Sequence, residues 1–280
     1  MKKLAATFIL VPALILLAGC GSTKDESTAT ASACTPSKLP TKTKGTLTVA
    51  TDKPAYPPYF EDDEPANGEG FESAVAFAIG KQLGYPAAKV KWTVEPFNSS
   101  YAPGPKDFDF DVNQISITPP REKEVDFSAP YYTANQAVVA LKSSEAAGAK
   151  SLAELKDAKI GVQIGTTSLS AVEEVIDPSS KPEVFNSSND VVTALKNEQI
   201  DAVVVDLPTA LYMTAAQVPT ATVAGQFAAP GGDEWGALLA KGSALTACVS
   251  EAVETLRDSG ELAKITKRWM SDAAGAPELD

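Results

Sequence analysis

An arginine and a serine five residues apart carry the chemistry most easily read from this chain. The run is Ile115-Ser116-Ile117-Thr118-Pro119-Pro120-Arg121, a short charged spacer, then Val125-Asp126-Phe127-Ser128-Ala129-Pro130-Tyr131-Tyr132. A β-rich segment (Val112, Ile115, Ile117) breaks at Thr118 into a double proline, and Arg121 follows at once. A strand end that offers hydroxyls beside an arginine is a good receptor for a carboxylate. Guanidinium pairs with carboxylate through two parallel bonds, and N–H groups at the start of a short helix add a positive dipole end. Most single arginines are only solvated surface charges. Here the polar strand end and the aromatic run that follows set Arg121 apart.

Other polar residues stand where strands should end, which is where ligands sit in doubly wound sheets. Asp52 closes Val49-Ala50-Thr51-Asp52 and is followed by Tyr56. Gly165-Thr166-Thr167-Ser168 follows a strand ending at Gln163 and could present N–H groups and a hydroxyl at a helix N-terminus. Asp206 closes Val203-Val204-Val205-Asp206. Each has a plainer explanation: Asp52 and Asp206 as turn or cap residues, Tyr56 and Phe97 as core, the Gly-Thr-Thr-Ser loop as a simple N-cap. Composition narrows the classes. There is no histidine, which removes Ser-His and Cys-His catalysis and imidazole-based zinc sites. With 36 acidic against 24 basic residues the net charge is −12, and such a surface argues against nucleic acid. The residues call for no cofactor and no metal.

The elements that must position these groups alternate between strand and helix. Strand patterns occupy Thr46 to Thr51, Lys89 to Glu95, Phe110 to Ile117, Lys159 to Gln163, Glu183 to Phe185 and Ala202 to Asp206. Helical patterns occupy Phe71 to Leu83, Ser168 to Ile176, Asp190 to Asn197, Ser243 to Gly260 and Leu262 to Met270. This alternation predicts an α/β chain with a mainly parallel sheet in each of two lobes and helices on both faces. Extended connections are expected over Thr133 to Val138 and near Ala228 to Trp235. Lobe 1 is then 45–135 with 231–280, and lobe 2 is 136–230.

The N-terminus reads as a leader. Lys2 and Lys3 precede an apolar stretch too short to span a bilayer, which ends in Leu17-Ala18-Gly19-Cys20. That ending resembles a bacterial lipobox, with residues 1–19 removed and Cys20 lipidated. Residues 20–44 lack large apolar groups and read as a flexible tether. Outside the cytoplasm the remaining pair, Cys34 and Cys248, is expected to form a disulfide, the alternative being a free buried Cys248 and a dispensable Cys34.

The run from Ser116 to Tyr132 resembles the signature of the family 3 extracellular solute-binding proteins, which deliver polar amino acids to ABC importers. The resemblance extends, with gaps, over 45 to 272. It implies a two-lobed periplasmic-binding-protein-like clamshell with a two-strand hinge, and a monomer that is not an enzyme. It assigns Ser116 and Arg121 to the ligand's α-carboxylate, with Thr166 and Thr167 beside it, and Asp206 to the α-ammonium. Asp52 and an aromatic such as Tyr56 would meet the side chain, with Glu72, Phe97, Gln114 and Gln163 completing the site. Gln114 departs from the family, which often has Gly or Ser there, and Asn98 to Pro105 replaces a usual helix. The acids Asp52 and Glu72 with the Gln114 amide favour a glutamine-like or basic amino acid. The expected location is the extracytoplasmic face of a bacterial membrane, Gram-positive, anchored through Cys20, with a permease and ATPase as partners. The alternatives are an amino-acid sensor not coupled to transport, or a cyclohexadienyl-dehydratase-like enzyme with Glu72 as general acid.

Overall fold

A computed structural model describes residues 34–270 and 275–280. The leader and Cys20 lie outside the described residues. The strands are β1 (Leu47–Thr51), β2 (Val90–Val94), β3 (Phe110–Asp111), β4 (Val125–Thr133), β5 (Gln136–Leu141), β6 (Ile160–Gln163), β7 (Glu183–Phe185), β8 (Ala202–Asp206), β9 (Ala221–Phe227) and β10 (Glu234–Ala240). They form two five-stranded sheets, ordered β2-β1-β3-β10-β4 and β7-β6-β8-β5-β9. The helices that matter for the site are α1 (Phe71–Gln82), α2 (Pro119–Glu124), α3 (Thr167–Ala171), α4 (Ser188–Lys196), α5 (Leu207–Tyr212), α6 (Thr246–Asp258) and α7 (Glu261–Trp269).

Each sheet is half parallel rather than mainly so. β1 pairs parallel with β2 and β3, and β6 with β7 and β8, while β4, β10, β5 and β9 add antiparallel pairings. The antiparallel strands are those that carry the chain between lobes. β4 runs into β5, and β9 leads to β10; β5 and β10, the first strands after each crossing, run against the βαβ strands, while β4 and β9 keep their direction. The two crossings touch where Ala134 N donates to the Asp233 carbonyl at 2.9 Å.

β5 illustrates how a continuous apolar run makes a central strand. All six residues of Gln-Ala-Val-Val-Ala-Leu are buried. Ala137, Val139 and Leu141 face one apolar cluster with α4 and α5, whereas Val138 and Ala140 face another with α3. A strand covered on both faces needs no polar alternation. In lobe 1 the start of α1 is set by Gly70 at φ 95, where a Cβ would lie 2.4 Å from the Tyr59 carbonyl oxygen. That close approach needs glycine and seats Phe71 and Glu72 in the core.

Three boundaries differ from the sequence expectation. The tether ends earlier than residue 44: Leu39 is buried in the lobe 1 core, and Lys42 N donates to Asp109 Oδ1 at 2.7 Å. Cys34 is bonded to Cys248 on α6, with Cα atoms 5.4 Å apart, which pins this stretch down. The C-terminal residues 275–280, expected with lobe 1, lie on lobe 2. Gln226 N donates to the Pro277 carbonyl and Leu279 N to the Gln226 carbonyl, both at 2.8 Å, and Leu279 is buried among lobe 2 side chains. The strand expected over Phe110 to Ile117 stops at Asp111, because Gln114 adopts φ 49 and turns the chain.

Candidate functional site

A cavity of about 440 Å³ lies between the two lobes, at the carboxyl ends of β1, β6 and β8. Asp52, Tyr56, Phe97, Gln114, Ser116, Arg121, Gln163, Thr166, Thr167 and Asp206 all border it. Glu72 does not. It is fully buried beneath Gln114, behind the lobe 1 wall.

Arg121 is held by its own loop. Thr118 caps α2, and its Oγ1 accepts from Arg121 N at 3.4 Å. The double proline sits where the first helical N–H groups would lack partners anyway. The guanidinium is largely buried and lies over the rings of Phe97 and Tyr101, with centroids 5.5 and 4.8 Å away. Its Nη1 donates to the Ser116 carbonyl at 2.7 Å and Nη2 to the Gly165 carbonyl of lobe 2 at 2.9 Å. Aromatic faces stabilise the cation without using its hydrogen bonds, so donors remain for an anionic ligand. Gly165 is needed for this approach: its φ is +74, and a Cβ would stand 2.3 Å from Tyr101 Oη.

The lobe 2 wall presents oxygen and hydroxyl groups. Thr166 caps α3, its Oγ1 accepting from Leu169 N at 3.2 Å, and Ser188 Oγ donates to Gln163 Oε1 at 2.6 Å. The Thr167 hydroxyl lies 3.2 Å from Ser116 Oγ and donates to Asp233 Oδ2 at 3.2 Å. Asp206 is pushed well above the usual carboxylate range, first by burial and then by the charge of Asp233. Gln136 Nε2 donates to both acids, at 2.6 Å to Asp206 Oδ1 and 2.5 Å to Asp233 Oδ2.

The lobe 1 wall is set by Asp52 and Gln114. Asp52 accepts from Lys53 N at 2.7 Å and from Phe97 N at 3.2 Å. Gln114 N donates to Glu72 Oε1 at 2.7 Å, and the Gln114 amide nitrogen donates to Glu72 Oε2. Tyr131 Oη adds a third bond to that carboxyl at 2.5 Å. Burial raises Glu72 to about 7, and these donors only partly oppose the rise. With its nitrogen engaged, the Gln114 amide leaves Oε1 for a ligand.

Further pairs join the lobes across the cleft. Tyr56 Oη donates to Asn189 Oδ1 at 2.5 Å, and Tyr59 Oη lies 2.8 Å from Thr209 Oγ1. Sequence reasoning missed Asp233, Tyr101 and Asn189. Asp233 follows Gly231-Gly232 in the second crossing, and an acid at a flexible joint was the available signal. Nothing local marks Asn189, whose partner is 133 residues away.

Comparison with known proteins gives a consistent result. The model of bacterial extracellular solute-binding proteins, family 3, matches residues 47–272. The arginine-binding extracellular protein ArtP of Bacillus subtilis (strain 168) is 32% identical over 217 residues, 76% of this chain and 82% of that protein. The ABC transporter glutamine-binding protein GlnH of the same organism is 29% identical over 97% of this chain and 98% of its own. Among solved structures, an ancestral arginine-binding protein bound to glutamine superposes with a TM-score of 0.67 at 32% identity, covering 81% of this chain and 98% of that one.

Proposed function

The chain belongs to the bacterial extracellular solute-binding proteins of family 3, and on that premise we propose that it captures a polar amino acid for delivery to an ABC importer. One observation carries this reading: a buried Arg121 on lobe 1 and a half-buried Asp206 on lobe 2 border the same cavity. Burying either charge of a zwitterion is costly unless an opposite charge meets it. Arg121 takes the α-carboxylate with Ser116 and Thr167, and Asp206 takes the α-ammonium. The ligand thereby bridges the lobes and favours the closed cleft.

The side-chain end of the cavity favours donors. Asp52 and the free Gln114 Oε1 are acceptors, and Lys53 is engaged with Asp63 at 3.4 Å. A guanidinium, ammonium or carboxamide suits them; a second carboxylate does not. Relatives that carry arginine and glutamine in their names fit this choice. Lipidation at Cys20 would hold the receptor at the extracytoplasmic face of the cell membrane, beside its permease.

Calorimetric titration of ligand-free protein with the twenty amino acids tests the reading. Tight binding of arginine, lysine or glutamine, with none for aspartate or glutamate, is expected. Preference for glutamate would overturn the assignment of Asp52 and Gln114, and no binding by any amino acid would overturn the function. A Cys20→Ser protein should be released from the membrane fraction.

A further inference from the structure

We propose that Asp233 is a working part of the ammonium receptor: on closure it meets Asp206, the two acids share one proton, and the pair offers a single negative charge to the ligand. The proposal rests on the reading above, that the ligand carries an ammonium group.

The geometry begins at the joint. Asp233 is almost fully buried and stands at the end of the second crossing, directly before β10 of lobe 1. Its backbone is tied to the first crossing through Ala134. Its side chain reaches residues of the lobe 2 region only. Oδ2 accepts from Gln136 Nε2 at 2.5 Å and from Thr167 Oγ1 at 3.2 Å. The same Gln136 nitrogen binds Asp206 Oδ1 at 2.6 Å, so both acids are held against one atom.

Two carboxylates this close in a buried site repel too strongly for both to ionise, and they titrate as a pair. Asp233 Oδ1 is buried and meets no donor among the described residues. A buried carboxylate oxygen without a donor is unfavourable. A proton on Oδ1, given to Asp206, removes both penalties at once.

The surrounding charges agree. Arg121 faces the pair from α2, and Tyr59 and Tyr132 face Asp206 from the lobe 1 side. Arg121 directs its two protein bonds at carbonyl groups, not at either acid. With one proton on the pair, Arg121 balances the ligand carboxylate and the pair balances its ammonium. With none, one negative charge is left over inside the closed cleft.

Opening the cleft returns the acids to water, where each ionises in the usual carboxylate range. Closure on a ligand therefore takes up a proton. Burial and the charge of Asp233 hold Asp206 above that range in the closed cleft. The closed state is thus fully favoured below the open-state value. As pH rises towards the closed-state value, affinity falls by as much as about tenfold per pH unit.

The test is calorimetric titration of the full-length, ligand-free protein with L-arginine and with L-glutamine at pH 7, in buffers of different ionisation enthalpy. The slope of observed heat against buffer enthalpy counts protons. Uptake near one proton per ligand is expected, dropping by most of that amount in Asp233→Asn, whose affinity also loses its pH dependence. Tight binding without proton uptake, or full uptake retained in Asp233→Asn, would overturn the proposal. If Asp233→Asn does not fold, the buffer slope of the native protein alone decides. Failure of every amino acid to bind would instead remove the function on which the proposal rests.

Discussion

Glu72 offers a quantitative check on the lobe 1 wall. Its carboxyl is fully buried, and burial lifts it from 4.5 to about 7 although Tyr131 and Gln114 donate to it. No cation faces it among those donors. An acid displaced this far costs the folded state about 3 kcal/mol once it is ionised. The sign follows from proton binding. Between pH 4.5 and 7 the folded protein holds a proton at Glu72 that the unfolded chain has lost. Stability is therefore highest below the unfolded value and falls as pH rises to about 7, after which this contribution is constant. Glu72→Gln removes the ionisation while keeping one oxygen for Tyr131 and Gln114 N. Urea unfolding of ligand-free native protein and of Glu72→Gln at pH 5, 6, 7 and 8 measures the difference. Asp206 tilts both proteins alike, whereas Asp111 is raised partly by the charge of Glu72, so the variant relieves that repulsion too and the difference keeps its sign. The stability of the variant relative to native should rise by about 2.5 kcal/mol from pH 5 to pH 8. A difference that stays constant to within about 0.5 kcal/mol across that range would show that Glu72 is not a displaced acid.

Arg121→Ala removes the charge that would meet a ligand carboxylate and two bonds to carbonyl groups; amino-acid affinity should fall at least about 100-fold by calorimetry. Reducing the Cys34–Cys248 bond, or replacing both residues with Ser, frees a loop spanning 214 residues. Chain entropy puts the cost near 5 kcal/mol, measurable as a lower urea midpoint. Leu279→Ala leaves a gap where the C-terminal tail fills the lobe 2 core; a loss of about 2 kcal/mol is expected, with faster hydrogen exchange in β9.

The residues that border the cavity were legible where they close strands. Asp52, Gln163 and Asp206 each end an apolar run, and a βαβ order sends such ends to one edge of the sheet. The segment from Ser116 to Arg121 was legible because proline, a threonine cap and an arginine have few other uses together. What escaped was pairing across sequence. Glu72 was read as a ligand contact, but Tyr131 reaches it from 59 residues away and Gln114 from 42, and these bonds draw it beneath the wall. The reversed direction of β5 and β10, which makes their pairings with β4 and β9 antiparallel, has a similar origin. A strand's direction depends on which lobe the chain has just left, not on its local pattern.

Gln114 shows why selectivity is harder to read than ligand class. A non-glycine residue at φ 49 is disfavoured by clashes that glycine avoids. Glu72 compensates by accepting from both its backbone and its side-chain nitrogen. The strained turn, the buried acid and the orientation of the amide are therefore one unit. Changing any member alters which atom the cavity wall presents. Glu72→Gln sets two amide nitrogens against each other unless the Gln114 amide rotates, and rotation would expose a donor in place of Oε1. Side chains that donate, such as guanidinium or carboxamide, should then bind more weakly, while the carboxylate contacts of Arg121 stay intact. On the proposed function, selectivity in this cleft would then depend on a residue that lies behind the cavity wall.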